Sequence, residues 1–368
     1  MGQQMQNMDW ERGPGGPEPR LLALGTAVPP YVLHQEEVQR RAAVLFEDAG
    51  GVVERLLPVF GNAGIATRYS CVPIEWYETP HGWRERHRLY IDNALVLLER
   101  VARDCLAEAG LEPSDIDTLV VVSTTGIATP SLDAMLMDRL GFRRDLERLP
   151  VFGLGCAGGL IGLARAAALA RAAPESRVLF LVVELCALTF RKNDLSKSNI
   201  VAAALFGDGA AGAILSCREP GASNGGMPRF GPSGEHTWPD SLDIMGWEVE
   251  EDGLKAVFSR DIPSLIRTHL REIAGSFLAR HKLTLADIEG FVCHPGGAKV
   301  LSALEEVYGL EEGGLALSRG VLHDYGNMSA VTVLFVLRRV LATAPRKRML
   351  MSTMGPGFTA AFLLLDTR

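Results

Sequence analysis

Apolar runs of strand length alternate with longer stretches of helical period along most of the chain. LLALGTAV (21–28), TLVVVSTTG (118–126) and VLFLVVEL (178–185) are nearly unbroken in apolar residues, which predicts strands buried on both faces. Between them, NALVLLERVARDCLAEAG (93–110) repeats its apolar positions with a helical period and stops at Gly110. The alternation predicts α/β layers in which helices cover a sheet. CREPGASNGGMPRFGPSGEHTWPD (217–240) is dense in Gly, Pro and Ser and is expected to be a long connection between two halves.

The halves resemble each other. EPSDIDTLVVVS (112–123) parallels LTLADIEGFVCH (283–294), and ARAAPESRVLF (170–180) parallels LATAPRKRMLM (341–351). The second pair matches at an offset of 171 and the first at 172, which predicts a duplicated β/α unit. The expected organisation is a disordered tail over 1–20, a first half over 21–225 and a second over 226–368.

At 368 residues, 47% hydrophobic and 22% charged, the chain has the balance of a globular enzyme with a large core. A net charge of −7 gives no basic footprint for nucleic acid or an anionic membrane. The six cysteines form no CxxC pair, which predicts reduced thiols in the cytoplasm. The most apolar run, RVLFLVVELCALTF, is interrupted by Glu184 and too short to span a bilayer. No His, Cys and carboxylate cluster has metal-ligand spacing, since His81 and His87 only flank GWRER. GDGAAG (207–212) lacks the Lys-Ser/Thr of a phosphate loop.

VFGLGCAGGLIGLARAAALA (151–170) places Cys156 where a strand turns into a helix, with glycines at 153, 155, 158 and 159. Free N–H groups of a helix N-terminus favour thiolate, as does a nearby imidazole, so a lowered Cys156 pKa is expected. A hydrolase elbow would need glycine at 154, where leucine stands. The offset carries Cys156 onto Asn327, in another Gly-containing turn before a helix-like run. His294 ends the second-half strand in CHPGG, so His294 and Asn327 are expected to face Cys156 and stabilise an enolate oxygen. Glu184, inside an apolar strand, is expected to be hydrogen-bonded and apart from this trio, and Cys293 to be core.

With GCAGG, ALFGDGAA (204–211), CHPGG (293–297), YGNMSA (325–330) and MGPGF (354–358) in order, the chain resembles the type III polyketide synthases of the chalcone synthase kind, in the thiolase superfamily. The resemblance runs from about Leu21 to the C-terminus. It implies a duplicated, five-layered αβαβα sandwich, a homodimer and no cofactor, coenzyme A thioesters being substrates. Cys156 would carry an acyl starter, and His294 and Asn327 would hold the enolate from malonyl-CoA. Phe206 matches the gate between coenzyme A tunnel and cavity, Thr189 and Ser329 match cavity-shaping positions, and Gly355, Pro356 and Gly357 match the scaffolding loop.

The chain departs from the plant pattern in several places. Ala256 stands where a second gating phenylalanine is found, with Phe258 near enough to compensate, and Trp247 is expected to narrow the cavity. Of three basic positions that grip coenzyme A phosphates, only Arg55 remains; Pro58 and Asn62 occupy the others, leaving Lys299 or Arg68 as substitutes. These departures imply a medium- or long-chain fatty acyl-CoA starter and an alkylpyrone or alkylresorcinol product. The alternatives are a single-condensation β-ketoacyl-ACP synthase of the III type and a non-catalytic acyl-CoA-binding homologue.

Overall fold

The computed structural model describes residues 17–45, 57–218, 228–259, 261–343 and 348–367. Nine strands share one sheet: β1 (Arg20–Ala27), β4 (Thr118–Val122), β5 (Glu147–Val151), β6 (Arg177–Leu185), β7 (Asp208–Ser216), β8 (Arg229–Thr237), β11 (Gly290–Cys293), β12 (Arg348–Gly355) and β13 (Thr359–Asp366). Their order is β11-β12-β13-β8-β1-β7-β6-β4-β5. Two short ribbons pair β2 (Tyr31–His34) with β3 (Thr67–Ser70) and β9 (Met245–Glu250) with β10 (Gly253–Phe258).

The sheet is two half-sheets joined at one residue pair, Arg20 with Arg229. Alternation along each strand sorts side chains into three cores. Val120 and Val122 of β4, Phe180 of β6, and Met349 and Met351 of β12 all turn inward onto the helices Gly158–Ala172 and Thr332–Ala342. Leu119 and Val121 turn outward onto Trp83–Ala109 and Leu132–Leu140. Leu350 and Met354 turn outward onto Arg271–Arg280 and Ala298–Tyr308. The two half-sheets, with helices outside and between them, make the five-layered, duplicated αβαβα sandwich.

The repeat register is visible in the hydrogen bonds. Thr118 pairs with Val178 in parallel, and their equivalents Gly290 and Met349 pair likewise. Before those strands, the N–H of Asp117 donates to the Arg177 carbonyl at 3.0 Å and that of Glu289 to the Arg348 carbonyl at 2.9 Å. The turns Pro113–Asp115 and Leu285–Asp287 both carry a capping box, closed by Asp115 and Asp287.

Three sequence expectations need correction. The stretch 217–240 is not all connection: its second part is β8, inserted between β13 and β1. Its glycines conceal a strand because the neighbours leave no room; a Cβ at Gly234 would lie 2.7 Å from a ring carbon of Phe277. The expected boundary at 225/226 lies outside the described residues, as does most of the expected tail. Pro19, within that tail, instead accepts the Phe230 N–H at 2.8 Å, and Arg20 opens β1. The helix expected over 93–110 begins earlier, at Trp83, and ends as expected with Gly110 in the left-handed conformation.

Candidate active site

Strand β5 ends at Val151, and the chain makes a single tight turn, Gly155–Ala157, before the helix Gly158–Ala172. Gly155 has φ +46°, and a Cβ there would lie 2.5 Å from Pro356 Cδ. Only glycine allows both the backbone and this approach. The Gly155 N–H donates to the Thr124 hydroxyl at 3.1 Å, tying the turn to the end of β4.

Cys156, His294 and Asn327 line one cavity of about 650 Å³, with Ser329, Phe206, Trp247 and Ala256. This volume is within the range of sites that enclose small organic ligands. Asn327 has a fixed amide. Its Oδ1 accepts the Ser329 N–H at 2.8 Å, and its Nδ2 donates to the Gly296 carbonyl at 3.2 Å. That leaves a second Nδ2 hydrogen for an oxygen in the cavity. Ser329 is held at φ +48°, an unusual conformation for serine and one found most often at functional sites. Both ring nitrogens of buried His294 lack a partner among the described residues.

The electrostatics differ from the sequence expectation. Burial pushes the Cys156 thiol up to about 11, against a smaller lowering from Ser329, and Glu184 adds to the rise. Burial also pushes the His294 imidazole down to about 4. Desolvation disfavours each charge taken on its own, so burial works against a lone thiolate and against a lone imidazolium.

Glu184 is hydrogen-bonded as expected: one carboxylate oxygen accepts the N–H groups of Thr124 and Thr125, each at 3.0 Å, and the Thr125 hydroxyl at 2.8 Å. It is nevertheless close enough to raise Cys156, which the repeat register did not indicate. Burial lifts Glu184 itself to about 8.

Comparison with known proteins agrees with this geometry. Residues 7–219 match the family of chalcone and stilbene synthases, N-terminal domain, and residues 233–366 the C-terminal domain. The chain belongs to the chalcone and stilbene synthase family. It is 38% identical to a 1,3,6,8-tetrahydroxynaphthalene synthase of Streptomyces peucetius subsp. caesius, over 94% of this chain and 92% of that one. It is 32% identical to the type III polyketide synthase C of Arabidopsis thaliana, over 87% and 86%. The solved tetrahydroxynaphthalene synthase of Streptomyces coelicolor A3(2), a bacterial type III polyketide synthase, superposes with a TM-score of 0.89 at 28% identity, covering 95% of this chain and 99% of that one. This chain is a type III polyketide synthase, an acyltransferase of the decarboxylative condensation class.

Within this synthase, the remaining expected residues fall into three groups. Lining the cavity with the trio are Ser329, Phe206, Trp247, Ala256, Pro356, Lys299 and Asn62. Trp247 and Ala256 face each other across the β9–β10 ribbon. Phe206 lies 6.0 Å from the Trp247 ring and 6.1 Å from Phe258, which does share the wall. Gly355 and Gly357 act from behind: a Cβ at Gly355 would strike the Leu154 carbonyl at 2.6 Å, and Gly357 accepts the Ser241 hydroxyl at 3.1 Å.

Thr189 does not line this cavity; its hydroxyl donates to the Cys186 carbonyl at 2.7 Å, and it borders a smaller chamber that Phe206 also lines. Arg68 is buried and is not placed to meet coenzyme A phosphates. Arg55 lies outside the described residues. Cys293 is core, as expected. His81 stacks on Trp76 at 3.9 Å and pairs with Glu85, and no metal-binding group is found among the described residues. Lys197, exposed in the first turn of the helix Lys197–Leu205, lines the cavity and was not singled out from the sequence.

Proposed function

We propose that this synthase loads an acyl group from acyl-CoA onto Cys156 and extends it with malonyl-CoA. The Cys156 sulfur attacks the thioester carbonyl, its proton passes to His294, and coenzyme A leaves as the thiol. Malonyl-CoA then loses CO₂, and the electron pair of the broken C–C bond forms an enolate. Its oxygen is held by the unspent Asn327 N–H and by His294. The enolate carbon attacks the Cys156 thioester carbonyl, forming the new C–C bond and expelling the Cys156 thiolate. Repetition lengthens the chain, which cyclises in the cavity without a cofactor.

The observation that carries this reading is a thiol, an imidazole and an oriented amide donor lining one large, mostly apolar cavity. The starter is a medium- or long-chain fatty acyl group and the product an alkylpyrone or alkylresorcinol. Ala256, small where it faces Trp247, supports a roomy apolar tract. Lys197 and Lys299, both exposed at the cavity rim, grip the coenzyme A phosphates together with Arg55. The protein acts in the cytoplasm; no helix among the described residues is long and apolar enough to cross a membrane. It works as a homodimer, a reading supported by Leu149 and Phe152, exposed on and just beyond the edge strand β5. Sedimentation of a single 39.8 kDa species would count against the dimer.

The test is incubation with malonyl-CoA and acyl-CoAs of increasing length, followed by mass analysis. Alkylpyrone masses that follow the starter are expected, and Cys156→Ala should abolish them. Product from malonyl-CoA alone, of the kind the Streptomyces relatives' names state, would replace the fatty acyl reading.

A further inference from the structure

Phe206 also borders a second chamber, of about 60 Å³. Phe206 borders both spaces, and Arg68 lines the smaller one. Arg68 stands on β3 with 2% of its surface exposed. Its Nη1 donates to the carbonyls of Ala203 at 2.6 Å and Phe206 at 2.8 Å. Its Nε and Nη2 have no partner among the described residues. Burial lowers its pKa to about 10, with Tyr77 and Asp208 opposing, so it is charged at neutral pH.

A buried cation with idle donors is a poor way to stabilise a core, where an apolar chain of similar volume usually serves as well or better. What the guanidinium does hold is the C-terminal end of the helix Lys197–Leu205. A helix leaves its last carbonyls without internal partners, and Arg68 Nη1 takes one of them and the Phe206 carbonyl just beyond. The Arg68 stem also packs against the turn that carries Asn327. Gly326 has φ +69°, and a Cβ there would come within 2.6 Å of Arg68 Cγ. Gly207, beside Phe206, would bring its Cβ to 3.3 Å from the Arg68 Cβ.

We infer that Arg68 is a positioning residue for the condensation site, fixing the Phe206 gate and the Asn327 amide as one unit from behind. It touches neither substrate nor thiol. It acts through the backbone bridge in which Gly207 N–H donates to the Asn327 carbonyl and Asn327 N–H to the Leu205 carbonyl. The inference rests on the condensation chemistry proposed above, and its test includes a readout independent of that chemistry.

Arg68→Met removes the donors and keeps much of the volume, while Arg68→Lys keeps the charge but not the planar fork. Hydrogen exchange in the full-length protein is expected to accelerate at the Gly207 and Asn327 amides in both variants and to be unchanged at Ala211 in β7. The kcat for malonyl-CoA decarboxylation is expected to fall in the order wild type, Lys, Met, by roughly tenfold or more for Met. Alkylation of Cys156 by iodoacetamide should keep its wild-type rate. Unchanged exchange at the two amides, or alkylation falling in step with kcat, would overturn the assignment. If Arg68→Met does not fold, Arg68→Lys decides alone: wild-type exchange and kcat in that variant refute the positioning role.

Discussion

Phe206 and Asn327 are joined backbone to backbone: Gly207 N–H donates to the Asn327 carbonyl at 3.1 Å, and Asn327 N–H to the Leu205 carbonyl at 2.8 Å. The Phe206 backbone and the Asn327 amide therefore share one rigid reference, although they stand 121 positions apart in sequence. The side-chain donor can be removed without touching that bridge. Asn327→Asp is expected to lower kcat for malonyl-CoA decarboxylation by about 10²–10³-fold, the range found for loss of one oxyanion donor. KM should change little. A loss smaller than tenfold, measured by CO₂ release, would assign the donor role elsewhere.

Chain length is expected to respond to the β9–β10 ribbon. Ala256 and Trp247 are cross-strand partners on the cavity wall, so Ala256→Phe fills space and Trp247→Ala opens it. With a homologous series of acyl-CoA starters, the longest one accepted should shorten in the first variant and lengthen in the second. Mass spectra in which both variants accept the same series as wild type would contradict this.

The pair formed by Cys156 and His294 gives a distinctive pH profile. Burial opposes an isolated thiolate up to about pH 11 and an isolated imidazolium down to about pH 4. Passing a proton from one to the other leaves the net charge unchanged, and the pair titrates as a unit. Alkylation of Cys156 should therefore be nearly flat between about pH 5 and 9. It should fall as His294 takes a proton from solvent near pH 4. In His294→Ala the plateau should give way to a rise of about tenfold per pH unit. A wild-type rate that climbs in the same way would exclude the internal transfer.

Glu184 couples stability to pH with a definite sign. Its folded pKa, raised to about 8 by burial, exceeds the ordinary value, so its contribution is full at low pH and is lost as pH rises toward 8. Asp208, raised to about 7, acts in the same direction. Glu184→Gln retains an oxygen for the Thr124 and Thr125 donors and cannot ionise. The drop in Tm from pH 5.5 to 8 should shrink in this variant by about 2–4 °C or more. Parallel melting curves for the two proteins would rule out the coupling.

Lys197 and Lys299 are expected to act through charge alone. Each change to Ala should raise KM for acyl-CoA several-fold at low salt, with kcat retained, and the difference should shrink at high salt. A salt-independent effect would point to packing.

Much of this architecture was legible because it depends on period and local turn chemistry. The buried strands, the repeat and the Cys156 turn all leave marks within a few residues. The β8 strand left none, because Gly231 and Gly234 answer to Leu364 and Phe277, far away in sequence. Thr189 matched a motif, yet it borders the smaller chamber and not the large cavity, a matter of how distant elements pack. Lys197 escaped notice since its value comes from standing at a cavity rim, a property of the assembled wall. Cys156 shows a related limit: the helix turn is visible in sequence, and the burial that opposes a lone thiolate is not.

The contact of Pro356 against Gly155 makes the floor of the cavity and the seat of the thiol a single mechanical part. A bulkier residue at either place would displace the nucleophile along with the wall. A change of cavity size is then better made away from the Met354–Gly357 loop and in the β9–β10 ribbon, whose strands pair, among the described residues, only with each other. The fold thus separates a part fixed by close backbone approach from one built of exchangeable side chains.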